Sequence, residues 1–243
     1  MTCNNVLVFA AHPDDELLGV GGTVRRLANE GAIVRAVIMA EGITSRSYKR
    51  DDADTSELRL LKRDSEMAAK VIGYESIEFC GLPDNRMDGM ELLDVVKIVS
   101  KYVEKYSPDT IFTHHHGDLN IDHRIVCEAV LTACRPVDNC SVERIYAFET
   151  PSSSEWNYDY VKPFCPNVYV NISDTIEAKI EGMKCYSSES RTYPHPRSSE
   201  GLKALAMTRG TNVGFRYAEA FMLLREFVDN SVDIIGGRTN SLN

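Results

Sequence analysis

The sequence predicts an α/β protein: a mostly parallel sheet with helices on both faces, in one domain whose C-terminal third is elaborated. Three observations carry this. Before residue 150, short β-branched and aromatic runs alternate four times with stretches of helical spacing, the pattern of a parallel sheet covered on both sides. The 243 residues, 43% of them hydrophobic and 26% charged, can bury such a core without disulfide or metal staples. Neither an internal repeat nor a Pro/Gly-rich linker divides the chain, so residues 1–228 read as one unit and 229–243 as a loose tail.

Residues 6–11 form a buried strand, an apolar run that ends at a polar cluster. Leu17, Val20, Val24 and Leu27 then fall on one face of a helix over 15–30, which Gly31 stops. A second strand at 33–39 leads into a polar loop, 41–55, of the length that often carries function. Ser56 is the expected cap of a helix over 57–72, ended by Gly73. A strand at 77–80, a loop at 81–89 and a helix at 91–106 follow, with Val95, Val96, Val99 and Val103 on one face. Pro108 precedes a strand at 110–113; a polar stretch leads to a helix at 123–134, and 144–149 is a strand. Beyond residue 150 the signal weakens. Residues 151–166 are irregular, 168–172 a strand, 174–185 and 198–207 helical, and 217–227 either an edge strand or a helix.

The formal charge of −9 argues against a nucleic-acid or anionic-membrane surface. The longest apolar run falls far short of the ~20 residues of a membrane span. The start of the chain has no signal-peptide pattern, which gives the expectation of a soluble, cytoplasmic protein. Seven scattered cysteines without a CxxC pair read as reduced thiols.

Chemistry concentrates in two segments that each follow a predicted strand. In Ala11-His12-Pro13-Asp14-Asp15-Glu16, a strand-to-helix turn can aim His12 and Asp15 at one point, and imidazole with carboxylate is the donor mixture of catalytic zinc. Asp14 would then accept the proton of a metal-activated water. The blander reading makes Asp14 or Asp15 a helix cap and His12 a buried, hydrogen-bonded imidazole. In Thr113-His114-His115-His116-Gly117-Asp118-Leu119-Asn120-Ile121-Asp122-His123-Arg124, His123 is the best third ligand because it opens the next helix. Consecutive side chains of an extended segment point in opposite directions, so His114, His115 and His116 read as loop-wall hydrogen bonders.

Together these segments resemble the PIG-L/LmbE family of zinc-dependent deacetylases, which remove acetyl groups from N-acetylglucosamine-containing molecules. The first string matches that family's opening signature, and Asp118–Arg124 matches one form of its second. His195-Pro196-Arg197-Ser198, Arg209-Gly210 and Tyr217-Ala218-Glu219-Ala220-Phe221 resemble its C-terminal landmarks. The resemblance implies a Rossmann-like domain with Zn²⁺, or another divalent ion such as Fe²⁺, held by His12, Asp15 and His123. It implies Asp14 as general base and Asp122 as the group that positions Asp14 or a ligand. Several members carry a histidine where this chain has Asn120, an amide that can donate to an oxyanion but cannot shuttle a proton. That duty then falls on Asp14 alone or on another histidine, for which His195 is the candidate, with a loop histidine hydrogen-bonded nearby as its plainer reading. Arg63 is a candidate for a sugar hydroxyl or phosphate and Asp84 and Asp88 for sugar hydroxyls, with a surface ion pair and turn formation as their plainer readings.

The implied partner is a small amino-sugar or glycoconjugate. Two rivals keep the fold: an amidase for a different acyl group, and a sugar-binding protein without turnover, which would have no need of Asp14. A dinucleotide-binding reading of Gly19-Val20-Gly21-Gly22 fails because Val24 stands where a third glycine belongs; these glycines suit close helix–sheet packing. The 151–166 segment, with Trp156, Tyr158 and Tyr160, is a candidate substrate lid or an interface of a homo-oligomer.

Overall fold

The computed structural model describes residues 3–46, 48, 50, 54–136, 140–158 and 162–227. Among the described residues thirteen α-helices and β-strands follow one another: β1 (Asn5–Ala10), α1 (Asp15–Asn29), β2 (Ile33–Ala40), α2 (Thr55–Ile72), β3 (Ser76–Leu82), α3 (Leu92–Tyr106), β4 (Thr110–His114), α4 (Ile121–Ala133), β5 (Arg144–Phe148), β6 (Val168–Asn171), α5 (Ile176–Cys185), α6 (Ser199–Thr211) and β7 (Ala218–Glu226). The strands form one sheet in the order β3-β2-β1-β4-β5-β7-β6. Strands β1 to β5 run parallel, while β7 is antiparallel to both β5 and β6.

Successive side chains of a strand leave opposite faces of the sheet. Along β1, Val6 and Val8 therefore join a cluster with Leu17 and Leu27 of α1, Ile72 of α2 and Ile180 of α5. Leu7 and Phe9 join the opposite cluster with Val95 and Val99 of α3 and Val126 and Val130 of α4. Both faces are thus covered, as the near-continuous apolar run of β1 predicts, and the protein is a single α/β domain. Among the described residues no helix is long and apolar enough to cross a membrane.

Three expectations need correction. Residues 217–227 contain neither an edge strand nor a helix: β7 is inserted between β5 and β6, an interior place set by long-range pairing. The cap of α2 is Asp54, whose carboxylate accepts the Ser56 N–H at 2.7 Å, so the helix starts earlier than expected. Helix α4 begins at Ile121, which puts His123 in its first turn rather than at its opening. The expected tail, 229–243, and Tyr160 lie outside the described residues.

The glycines of α1 serve packing. A Cβ at Gly19 would overlap the Phe148 ring of β5, and one at Gly22 would meet Ile172 just beyond β6. Near them a buried ion pair ties α1 to α5 and β7. Lys179 Nζ donates to Leu18 O (2.7 Å) and to Glu219 Oε1 (2.6 Å), while the Glu219 carboxylate accepts the Gly22 and Thr23 N–H groups. Replacing Gly19 with Ala forces Phe148 to move and is expected to cost ~1–3 kcal/mol of stability. Urea unfolding would read this as a lower midpoint at unchanged slope.

Candidate active site

In open α/β sheets, ligands bind beyond the carboxyl ends of strands where the strand order reverses. Here that point lies between β1 and β4, and the two chemistry-bearing segments leave these two neighbours. They wall a pocket of about 190 Å³ whose lining includes His12, Asp14, Asp15, His123, Asn120 and Arg197.

The β1–α1 turn is tight because Asp14 takes φ 102°, a left-handed conformation uncommon outside glycine. It stands at the N-cap position of α1, yet its side chain makes no capping bond. The Asp15 carboxylate turns back to accept the His12 N–H at 2.9 Å. Three donors then converge. His12 Nδ1 lies 3.3 Å from Asp15 Oδ2 and 3.3 Å from His123 Nε2, and that Nε2 is 3.2 Å from Asp15 Oδ2. Ligands ~2.05 Å from a tetrahedral ion are separated by ~3.35 Å, so the triangle fits one small cation.

Carboxylates stand behind both imidazoles. His12 Nε2 is 3.1 Å from Asp122 Oδ2 and 3.2 Å from Asp84 Oδ1. Asp122 is itself fixed by the N–H groups of Asn85 (2.7 Å) and Met87 (3.0 Å). It reaches a candidate ligand, and among the described residues it makes no hydrogen bond to Asp14. His123 Nδ1 is 3.2 Å from Asp118 Oδ1, and Asp118 accepts the Asn120 N–H (3.0 Å) and the hydroxyls of Ser153 and Ser154. Such outer carboxylates fix ring orientation and raise ligand basicity. His12, Asp84 and Asp122 form a second compact trio, but with one nitrogen against two carboxylates already engaged elsewhere.

The field favours positive charge. Burial alone would push His12 down, but its hydrogen bonds to Asp122 and Asp15 and the nearby carboxylates raise it to about 10. Burial works the same way on His123, and Asp15 and Asp118 outweigh it, raising it to about 9. Asp15 is held well below the usual carboxylate range, against burial, by the charge of His123 and by its hydrogen bonds with His12 and His123. Asp14 is pushed well above that range by burial, which Arg197 only partly offsets. A His₂Asp donor set in a field that draws in a cation fits zinc, and suits iron as well.

The remaining candidates divide. Asn120 caps α4 through Asp122 N–H (2.8 Å), donates to Asn85 Oδ1 (2.7 Å) and lines the pocket. Asp84 lines it too, is buried, and accepts the Ser45 N–H at 2.9 Å. His195 is outside the lining, in correction of the expectation. Its Nδ1 accepts the Arg197 N–H (3.1 Å) in a local turn and its ring meets Trp156, so Arg197 is the residue of that motif that enters. Arg63 is exposed and also outside: Leu61, ~200° away around α2, faces the pocket instead. Asp88 is exposed in a 3-10 turn away from the lining. His114 is buried and neutral, stacked on His123, accepting the Ala11 N–H (2.8 Å) on Nε2 and donating from Nδ1 to Thr150. His115 donates to the Lys162 carbonyl. Sequence reasoning missed Asp118, Glu189 and Arg197, although Asp118 and Arg197 stand inside motifs it singled out.

This single α/β domain has the fold of solved deacetylases, N,N'-diacetylchitobiose deacetylase of Pyrococcus horikoshii among them. The chain belongs to the PIG-L family, described as GlcNAc-PI de-N-acetylase, which matches residues 7–134. The uncharacterized deacetylase YaiS of Escherichia coli is 26% identical over 189 residues, 75% of this chain and 90% of that protein. Diacetylchitobiose deacetylase of Thermococcus kodakarensis is 26% identical over 226 residues, 88% and 80% of the two chains. Among solved structures, the 4-carboxy-2-hydroxymuconate hydratase of Pseudomonas putida superposes with a TM-score of 0.74 at 19% identity, covering 94% of this chain and 99% of that one. One fold thus hosts more than one reaction, and the site residues must choose between them.

Proposed function

We propose that this protein is a metal-dependent hydrolase that removes an acetyl group from an N-acetylglucosamine-type sugar or sugar conjugate. The observation that carries the reading is the convergence of the His12–Asp15–His123 triangle and the Asp14 carboxylate on one pocket. The family and the diacetylchitobiose deacetylase relative support the acetamide and the sugar.

A divalent cation held by His12, Asp15 and His123, zinc in the first instance, supplies a Lewis acid that acidifies water and polarises an acetamide carbonyl. Asp14 takes a proton from the attacking water as its oxygen bonds to the acyl carbon. The same carboxyl then gives that proton to the nitrogen as the C–N bond breaks, leaving acetate and a free amine. Asp122 and Asp118 hold the two imidazoles in place. Asn120, Asn85 and Ser45 give the pocket neutral polar groups suited to sugar hydroxyls and the developing oxyanion.

Acetate release from a panel of N-acetylglucosamine conjugates tests this. Release by zinc-loaded protein that stops on chelation and returns with metal is the expected result. No release from any conjugate by protein holding stoichiometric metal would turn the assignment toward another acyl amide or toward binding without turnover.

A further inference from the structure

We infer that Arg197 is a positioning residue for the Asp14 carboxylate, an inference that rests on the deacetylase reading above. Its guanidinium is anchored on three separate segments. Nη1 donates to Asp14 Oδ2 in the β1–α1 turn at 2.8 Å and to Glu189 Oε2 at 3.1 Å, and Nε donates to Ser152 Oγ at 2.8 Å. Glu189 is in turn paired with Arg46 Nη2 at 2.6 Å, so charges alternate from Asp14 to the half-exposed Arg46.

This arrangement does what an active-site base requires and Asp14 cannot do alone. Asp14 is 2% exposed, and a carboxylate buried without a partner is costly to keep charged. Arg197 supplies the partner on one oxygen only. Among the described residues the other oxygen, Oδ1, makes no hydrogen bond and is the one available to a water in the pocket. A carboxylate hinged on two side-chain torsions is thereby held by Oδ2, while the pull of Glu189 and Ser152 keeps the guanidinium from following Asp14 or folding over the substrate. His195 acts one step further back, through its hydrogen bond to the Arg197 N–H.

Kinetics and structure of Arg197→Ala and Arg197→Lys, in the metal-loaded full chain, test the inference. A carboxylate misplaced by ~1 Å can cost ~100-fold, so Arg197→Ala is expected to lower kcat by ~100-fold with KM within ~3-fold of wild type. Metal content should stay unchanged, while the melting temperature of Arg197→Ala should fall, because Asp14 and Glu189 lose a buried partner. Arg197→Lys should fall between, and methylguanidinium added to the Ala variant should restore part of kcat. In crystals of the Ala variant the Asp14 carboxylate should be displaced, and in the Lys variant retained. A raised KM at unchanged kcat would make Arg197 a substrate-binding residue instead. A kcat within ~3-fold of wild type, or a loss that methylguanidinium does not relieve while Asp14 stays in place, would also overturn the role. If wild type releases no acetate, the functional reading fails, but the position of Asp14 in the variant crystals still decides this inference.

Discussion

Asp14→Asn is expected to lower kcat by ~10²–10⁴-fold, the usual contribution of a positioned general acid–base, while leaving fold and metal content intact. Asparagine is the sharpest probe for three reasons. It keeps the volume of the side chain, and Asn tolerates the φ of 102° that this turn imposes better than most residues. Its amide oxygen can still accept from Arg197, so the anchored half of the side chain survives. What it loses is the ability to take a proton from water and return it to nitrogen. KM should change little, since ground-state contacts to the sugar are untouched. Measuring kcat by acetate release beside metal content by atomic emission separates the two roles of this turn. Loss of metal with activity would mean that Asp14 supports the ligand set; a kcat within tenfold of wild type would remove it from the proton-transfer role.

Much of this site was legible because its parts obey local rules. The run 6–11 reads as a buried parallel strand since both its faces are covered, and the carboxyl end of such a strand is where ligands sit. His12, Asp14 and Asp15 therefore had an address before any contact was known. Arg197 had none. Its position depends on three contacts, to Asp14, Ser152 and Glu189, the first of them 183 residues away in the chain. A histidine two places earlier drew the attention that the arginine warranted. Arg63 failed for a simpler reason: helix spacing places Leu61 and Arg63 on different sides of α2, and the apolar face of the helix is the one that reaches the pocket. Asp118 escaped because a carboxylate behind a ligand has no spacing rule of its own; only the fold brings it 3.2 Å from His123. The direction and place of β7 were hidden likewise, since pairing with β5 and β6 is set by distant strands.

His123→Ala is expected to abolish both stoichiometric zinc binding and acetate release, with far-ultraviolet circular dichroism unchanged. The ring supplies one of only three protein donors in the triangle, and its loss leaves His12 Nδ1 and Asp15 Oδ2 alone. Altering a residue behind a ligand typically costs ~10–100-fold in metal affinity. Asp118→Asn, which keeps the shape but removes the charge facing His123 Nδ1, should therefore lose that much and no more. Deleting the donor must cost more than disturbing its support, so the two variants should rank in that order in a zinc titration against a chelating dye. The competing trio of His12, Asp84 and Asp122 makes the opposite forecast. It contains no His123, so a cation held there would survive His123→Ala and be lost in Asp84→Asn. That trio is the weaker candidate because it offers one imidazole nitrogen against two carboxylates, and those carboxylates accept three backbone N–H groups where Asp15 accepts one. Wild-type affinity in His123→Ala would move the centre to the far side of the His12 ring, and Asp14 would then no longer share a pocket wall with the reacting water.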